Sequence, residues 1–194
     1  GLTTGNGGDI SVINLSGLFT NTAVVDANGG DIFITTNDIT LGNILRSGMP
    51  AAPQGTITLQ PLTTTQRIDL AQVAPPPGTF ALSRDELDFI TDGFDDGADR
   101  ITNIDGVLEV LDSSDGITFG RDDGRHHMYV GQYEFSDSVT FRAPVLGGKF
   151  FVDGELSTNG GATTGENVEL EFVGSGFTQK QSVDIITTGD QILI

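Results

Sequence analysis

The chain has no cysteine and no tryptophan, and only two tyrosines and two histidines among its 194 residues. Each shortage removes a class of protein. Without cysteine there is no disulfide framework, no thiolate zinc site and no cysteine nucleophile. Basic residues are scarce as well: nine against 27 acidic ones, for a net charge of −18. Such a chain repels a nucleic-acid backbone and an anionic membrane surface, so neither is expected as a partner. No apolar run approaches the length that spans a bilayer as a helix, so membrane insertion is not expected either. Neither a signal peptide nor an initiating methionine is visible. The chain opens at Gly1 and closes on Gln191-Ile192-Leu193-Ile194, which reads as strand, so a processed or excised piece of a longer chain is expected.

Glycine, in contrast, is plentiful at 27 residues, and twelve phenylalanines accompany it. Leu, Ile, Val and Phe are frequent enough to build an apolar core. Glycine-led repeats set the pattern. Gly7-Gly8-Asp9-Ile10-Ser11-Val12 recurs as Gly29-Gly30-Asp31-Ile32-Phe33-Ile34, and Gly55-Thr56-Ile57-Thr58-Leu59 is a looser third copy. After the glycines, apolar residues alternate with others, the period of a strand with one buried face. Ile10, Val12 and Asn14 share one face, and Ser11 and Ile13 the other. Shorter strands are expected at Thr22 to Val25 and Asp38 to Leu41. A repeat of 20 to 25 residues with two or three short strands suits one turn of a parallel β-helix, each turn burying its inward residues against its neighbours. The competing architecture is an antiparallel sandwich, for which Asp105-Gly106 and Asp115-Gly116 would be hairpin turns.

Further along, Arg67-Ile68-Asp69-Leu70 reads as a strand, and Pro75-Pro76-Pro77-Gly78 as a stiff exposed connection. Ser83-Arg84-Asp85-Glu86 is a capping box, with Leu82 and Leu87 placed as a hydrophobic staple. It predicts a helix of roughly Arg84 to Asp92, ended by Gly93. Arg-Ile-Asp-Leu followed by Phe80-Ala81-Leu82-Ser83-Arg84-Asp85-Glu86-Leu87-Asp88-Phe89-Ile90 resembles a module of filamentous-haemagglutinin-like large exoproteins, which carry an Ile-Asp-Leu segment and then a Leu-(Ser/Thr)-x-x-Glu-Leu-x-x-Ile helix. The Gly-Gly-Asp-Ile copies and the Ser138 to Leu156 stretch are similar to the same family. The resemblance implies a right-handed parallel β-helix on a bacterial surface or in secreted material, and supplies no catalytic residues. The chain departs from the family where 92–99 intervenes before Arg100-Ile101, as an insertion would.

Thirteen of the acidic residues lie between Asp85 and Asp123. Asp92, Asp95, Asp96 and Asp99 have the close spacing in a glycine-containing loop from which carboxylates converge on calcium. They are the candidate metal ligands, and calcium is the one cofactor suggested, although the EF-hand and glycine-aspartate nonapeptide patterns are absent and a solvated acidic loop gives the same composition. His126 and His127 are neighbours beside Asp122 and Asp123. Adjacent strand residues point to opposite faces, so both histidines cannot readily serve one ion; one is expected exposed and the other packed at a turn. If the chain were a polysaccharide-active enzyme, Asp95, Asp96, Asp122 and Asp123 would be the acid and base candidates. They sit in irregular stretches rather than at aligned strand positions, and nucleophile elbows, phosphate loops and HExxH are missing. Phe33, Phe119, Phe141, Phe150, Phe151 and Phe172 are expected to stack in the core.

The expected architecture is thus all-β: residues 1–194 as a single right-handed parallel β-helical solenoid of about seven to nine irregular coils, with one short capped helix and irregular acidic loops at 92–99 and 120–127. The expected role is a structural or adhesive segment of a secreted or surface-displayed bacterial exoprotein, with no enzymatic activity. Its partners would be flanking coils or another copy of itself, or a surface glycan or host receptor. The alternative is a subunit of an extracellular filament or matrix. At least one end is expected to be covered by further chain or another subunit, because neither terminal segment carries a polar cap.

Overall fold

The computed structural model describes residues 1–5, 7–47, 55–90, 116–135, 138–158, 169–180, 184–186 and 191–194. In chain order the first strands are β1 (Leu2–Thr3), β2 (Ile10–Asn21), β3 (Val25–Asp26), β4 (Ile32–Leu41), β5 (Leu45–Arg46), β6 (Ile57–Pro61), β7 (Ile68–Leu70) and β8 (Phe80–Leu82). A single helical turn follows, α1 (Arg84–Leu87). Beyond it come β9 (Ile117–Gly120), β10 (His127–Val130), β11 (Tyr133–Phe135), β12 (Val139–Ala143), β13 (Lys149–Val152) and β14 (Leu156–Thr158). The last four are β15 (Glu169–Gly174), β16 (Phe177–Gln179), β17 (Ile185–Ile186) and β18 (Gln191–Leu193).

The chain is all-β, and every strand pairing among the described residues is parallel. That removes the antiparallel sandwich for these residues. Asp115 lies outside the described residues, and β9, which follows Gly116, pairs in parallel with both β6 and β12. Asp105-Gly106 lies outside the described residues. The largest sheet has the order β18-β15-β12-β9-β6-β4-β2, and a second has β16-β13-β10-β7-β8. Two three-stranded sheets, β11-β14-β17 and β1-β3-β5, are the others among the described residues. From β9 onward the chain visits three sheets in fixed rotation. Each of β12, β13 and β14 lies beside its counterpart in the triplet β9, β10, β11, and β15, β16 and β17 repeat the pattern.

Period-2 alternation puts one row of side chains inward at the same place in each strand. Ile10, Ile32, Ile57, Ile117, Val139 and Leu170 occupy one such position across the seven-stranded sheet, and all are buried. Two residues further on, Ile34, Leu59, Phe119, Phe141 and Phe172 occupy the next. The three phenylalanines stack there, with ring centroids 6.2 Å apart for Phe119–Phe141 and 4.7 Å for Phe141–Phe172. Phe150 meets Phe172 edge-on from the second sheet. Two of the expected core phenylalanines turn out to face outward: Phe33 is 39% exposed, and Phe151 is half-buried on the outer surface. Each sits one residue from an inward neighbour, Ile32 and Phe150, and a strand cannot bury both.

The geometry explains the Gly-Gly-Asp-Ile repeat. A Cβ on Gly30 would lie 2.5 Å from the carbonyl oxygen of Gly8, and one on Gly55 would lie 2.2 Å from that of Gly30. Backbones stack so closely there that no other residue fits. The aspartates after Gly8 and Gly30 each accept from the backbone of the next copy of the repeat. Asp9 Oδ1 accepts from the Asp31 N–H at 3.0 Å, and Asp31 Oδ1 accepts from the Thr56 N–H at 2.8 Å. Two expected short strands are corrected. Asp38 to Leu41 is the end of β4, continuous with Ile32, and the segment from Thr22 contributes only β3. β2 and β4 stay paired as far as Asn21 and Leu41 across a register shift between Asn14 and Leu18, where β2 carries two extra residues.

The capping box forms. Ser83 Oγ accepts from the Glu86 N–H at 3.3 Å, and Glu86 Oε2 accepts from the Ser83 N–H at 2.8 Å. The helix is shorter than the expected Arg84 to Asp92: it stops at Leu87, and the chain tightens through Phe89 N–H to Glu86 O and Ile90 N–H to Leu87 O. Tertiary bonding outcompetes propagation. The Phe89 carbonyl accepts from Leu45 N–H at 2.9 Å, and the Tyr133 hydroxyl donates to Asp88 Oδ1 at 2.9 Å. This turn therefore bridges β5 on one side and β11 on the other. Glu86 Oε1 also accepts from the Leu41 N–H at 3.1 Å. Ser83→Ala is expected to cost about 1 kcal/mol through loss of one cap bond. Glu86→Ala is expected to cost more, on the order of 2 kcal/mol, because it also strands the Leu41 amide. Urea midpoints in the reverse order would refute this bridging role.

One inversion was not legible beforehand. β8 follows β7 in the chain but lies on the side away from β10, so the chain steps backward before α1. The connection at 71–79 contains Pro75, Pro76 and Pro77, all exposed. Proline donates no backbone bond, so this crossover runs over the surface instead of adding a strand.

Candidate functional site

Asp92, Asp95, Asp96 and Asp99 lie outside the described residues. Among the described residues, no group of three or more His, Asp or Glu side chains is placed to hold a metal. Asp122 and Asp123 are described, and both are engaged by arginines. Asp123 takes Arg121 at 2.7 Å, and Asp122 pairs with Arg142 from β12. The hydrogen bond from Arg121 holds the Asp123 carboxyl below the usual carboxylate range, the opposite of what a general acid needs. Arg121 also reaches the carbonyls of Pro61 and Leu62, at 3.3 and 3.4 Å. Gly120, which starts this turn, has φ +107°, and a Cβ there would lie 2.1 Å from the Arg142 carbonyl oxygen. The acidic turn thus ties one layer to those on either side.

The two histidines divide as expected. His127 is exposed, and His126 is fully buried at the turn. His126 Nδ1 lies 2.8 Å from the Gln66 carbonyl oxygen, so Nδ1 carries the proton and donates. Nε2 has no hydrogen-bond partner among the described residues and faces Gly124, where a Cβ would come within 2.6 Å. Burial pushes the imidazole pKa down, and the nearby Arg121 cation adds to this; the Gln66 carbonyl and Asp123 oppose it. In the unfolded chain the same group titrates near its usual value of about 6.5. The folded state therefore binds fewer protons between its depressed pKa and about 6.5. Stability from neutral His126 is complete above that window and is lost as pH falls through it. His126→Phe removes this titration, so the urea midpoint of the wild type is expected to fall relative to the variant on acidification below about pH 6.5. Parallel pH profiles for the two proteins would contradict the assignment.

The outer face of the sheet containing β7, β10 and β13 carries a row that sequence reading missed. Arg67, just before β7, grips Asp69 with two nitrogens, Nε to Oδ2 at 2.7 Å and Nη2 to Oδ1 at 2.5 Å. Asp69 is fully buried beneath this pair. The Arg67 guanidinium lies 3.6 Å from the Tyr129 ring centroid, and Tyr129 stacks on Phe151 at 4.6 Å with planes 11° apart. His127 meets Phe151 edge-on at 5.8 Å. Parallel register builds the row, pairing Asp69 with Tyr129 and Tyr129 with Phe151. The available signal was the Phe150-Phe151 doublet, whose members must face opposite ways. On the outer face of the largest sheet, Thr56, Thr118, Thr140, Glu169 and Glu171 border a shallow groove of about 380 Å³. Thr140 already donates to Glu171, at 3.2 Å.

Comparison with protein families, with curated proteins and with solved structures found no match to this chain.

Proposed function

We propose that the chain is a structural and adhesive segment of a secreted or surface-displayed bacterial exoprotein, wound as a right-handed parallel β-helix. The observation that carries this reading is the fixed rotation of β9 to β17 through three sheets, with every step parallel and in register. Crossovers between parallel strands of one sheet are overwhelmingly right-handed, so a chain circulating in this way winds into a right-handed coil. A solenoid is stiff and quasi-one-dimensional, and it offers long outer faces, properties suited to a stalk or an adhesin. The likeness of Arg67 to Ile90 to filamentous-haemagglutinin-like exoproteins favours the same role. Immobilised on beads, the folded chain is expected to hold them to bacterial or host surface material under flow better than the denatured chain does. Equal retention would overturn the adhesive reading.

A second reading, end-to-end assembly into a filament, is favoured by the outermost strands. β2 presents Ile13 at 65%, Leu15 at 71% and Leu18 at 51% exposure, and at the opposite edge Ile192 and Leu193 are exposed. Open parallel edges with apolar side chains recruit further strands. Sedimentation at high concentration separates the readings: a filament subunit elongates and Leu15→Lys suppresses the elongation, whereas a stalk segment stays monomeric.

A further inference from the structure

Of the nine asparagines in the chain, Asn14 alone is followed two residues later by Ser or Thr, in Asn14-Leu15-Ser16. Asparagine, any residue but proline, then Ser or Thr is the acceptor pattern for an N-linked saccharide. A paired strand would close such a triplet off, but this one falls on the register shift of the β2–β4 pair. Pairing runs to Asn14 opposite Thr36 and resumes at Leu18 opposite Asp38, so Leu15, Ser16 and Gly17 stand against Asn37 alone. Leu15 and Ser16 are exposed, and a Cβ on Gly17 would meet nothing within 4 Å. The base of the bulge is fixed: the hydroxyl of fully buried Thr36 donates to the Gly17 carbonyl at 2.8 Å. Asn14 ends the inward-facing alternation of Ile10 and Val12, yet it is only half-buried, since β2 is the outermost strand of its sheet. Its Oδ1 accepts from the Ser16 N–H at 3.3 Å, an Asx turn that holds the carboxamide by its oxygen. Nδ2, the atom a saccharide would join, has no hydrogen bond to a described residue. Asn21, on the same strand, is the contrast: it is buried, and its Nδ2 donates to the Asn43 carbonyl at 2.7 Å.

We propose that Asn14 is a glycosylation site, its Nδ2 carrying an N-linked saccharide. In the step that attaches it, Nδ2 attacks the anomeric carbon of a sugar activated as a glycosyl diphosphate. The new C–N bond forms as the C–O bond to the diphosphate breaks. The diphosphate leaves with the electron pair, and a base of the transferase takes one Nδ2 proton. A soluble nucleotide sugar and a lipid-linked oligosaccharide share this chemistry as donors. The surroundings of Asn14 give the saccharide a role. Ile13, Leu15 and Leu18 are exposed along the same edge. A bulky, hydrated group among them screens the apolar stretch and obstructs the pairing of a further strand with β2. The proposal rests on the reading of the chain as part of an exported protein, and within that reading it favours the stalk over the filament.

The test offers the folded wild-type chain two donors: UDP-glucose with a soluble asparagine glucosyltransferase, and a lipid-linked oligosaccharide with an oligosaccharyltransferase. Trypsin then releases the peptide that ends at Arg46, the first basic residue, and mass spectrometry with fragmentation locates any sugar on it. Sugar on Asn14 is expected in at least one arm, and the arm identifies the donor. Ser16→Ala is expected to lose it completely. That variant keeps the backbone N–H that bonds Asn14 Oδ1, so its urea midpoint should match wild type. Ala23→Ser extends the acceptor pattern to Asn21, and with circular dichroism matching wild type the folded variant is expected to take sugar at Asn14 and none at Asn21. No sugar on the folded wild type in either arm overturns the proposal. So does sugar retained by Ser16→Ala, and so does equal modification of Asn21 and Asn14, which would mean that the bulge does not select the site. Beads that hold to surfaces while Asn14 takes no sugar refute the site and leave the adhesive reading standing. Beads that fail while Asn14 is modified do the reverse.

Discussion

Ile32→Asp is expected to unfold the layers around β4, while Phe33→Asp, one residue along, leaves the melting temperature within a few degrees of wild type. Ile32 is fully buried between Ile10 and Ile57 in the parallel stack. A carboxylate there loses its hydration and finds no cation in register, at a cost of several kcal/mol. That is a large share of the roughly 5–15 kcal/mol by which a domain is stable. Phe33 points outward between Ser11 and Thr58, so an aspartate at 33 remains in water. Thermal and urea unfolding followed by circular dichroism compare the pair. Similar losses at both positions would mean that the register of β2, β4 and β6 is wrong.

Phe141→Ala is expected to cost about 3–5 kcal/mol, the range for deleting a large buried aromatic. Phe141 is fully buried at the centre of an aromatic cluster. It stacks on Phe172 at 4.7 Å and on Phe119 at 6.2 Å, and Phe135 meets it edge-on at 5.9 Å. The strands on either side cannot close over the void without giving up the hydrogen bonds of their own ladder, so little of the lost packing is regained. Phe151→Ala removes the same ring from the outer face, where it is half-exposed, and is expected to cost less than half as much. Equal denaturant midpoints for the two variants would show that inward and outward phenylalanines had been exchanged.

The repeat was legible because it is local: glycine, aspartate and alternating apolar residues recur where each layer begins. The capping box was legible for the same reason, being complete within four residues. The length of the helix was not, because Leu45, far away in sequence, takes the Phe89 carbonyl. The candidate site was read less well than the fold. Asp122 and Asp123 stood out by composition, yet their arginine partners come from the same turn and from β12, and only folding brings Arg142 to Asp122. The Tyr129–Phe151 row was missed because its members are 22 residues apart and meet only through parallel register. Buried Asp69 looked like any polar strand residue until Arg67 closed over it.

The sequence by itself determined an all-β chain of glycine-led strands, because period-2 patterning is a property of a single strand and its turn; that these strands pair in parallel, with Gly30 packed on Gly8 and Gly55 on Gly30, came from the tertiary structure. The sequence also determined that one histidine would be exposed and its neighbour buried, since adjacent strand side chains diverge. Only the tertiary structure decided that β8 steps back behind β7, that α1 bridges β5 and β11, and that Phe151 stacks on Tyr129 on the outer face. Each of these depends on pairings between segments distant along the chain. Their energies come from hydrogen bonds and ring contacts that do not exist until the layers stack.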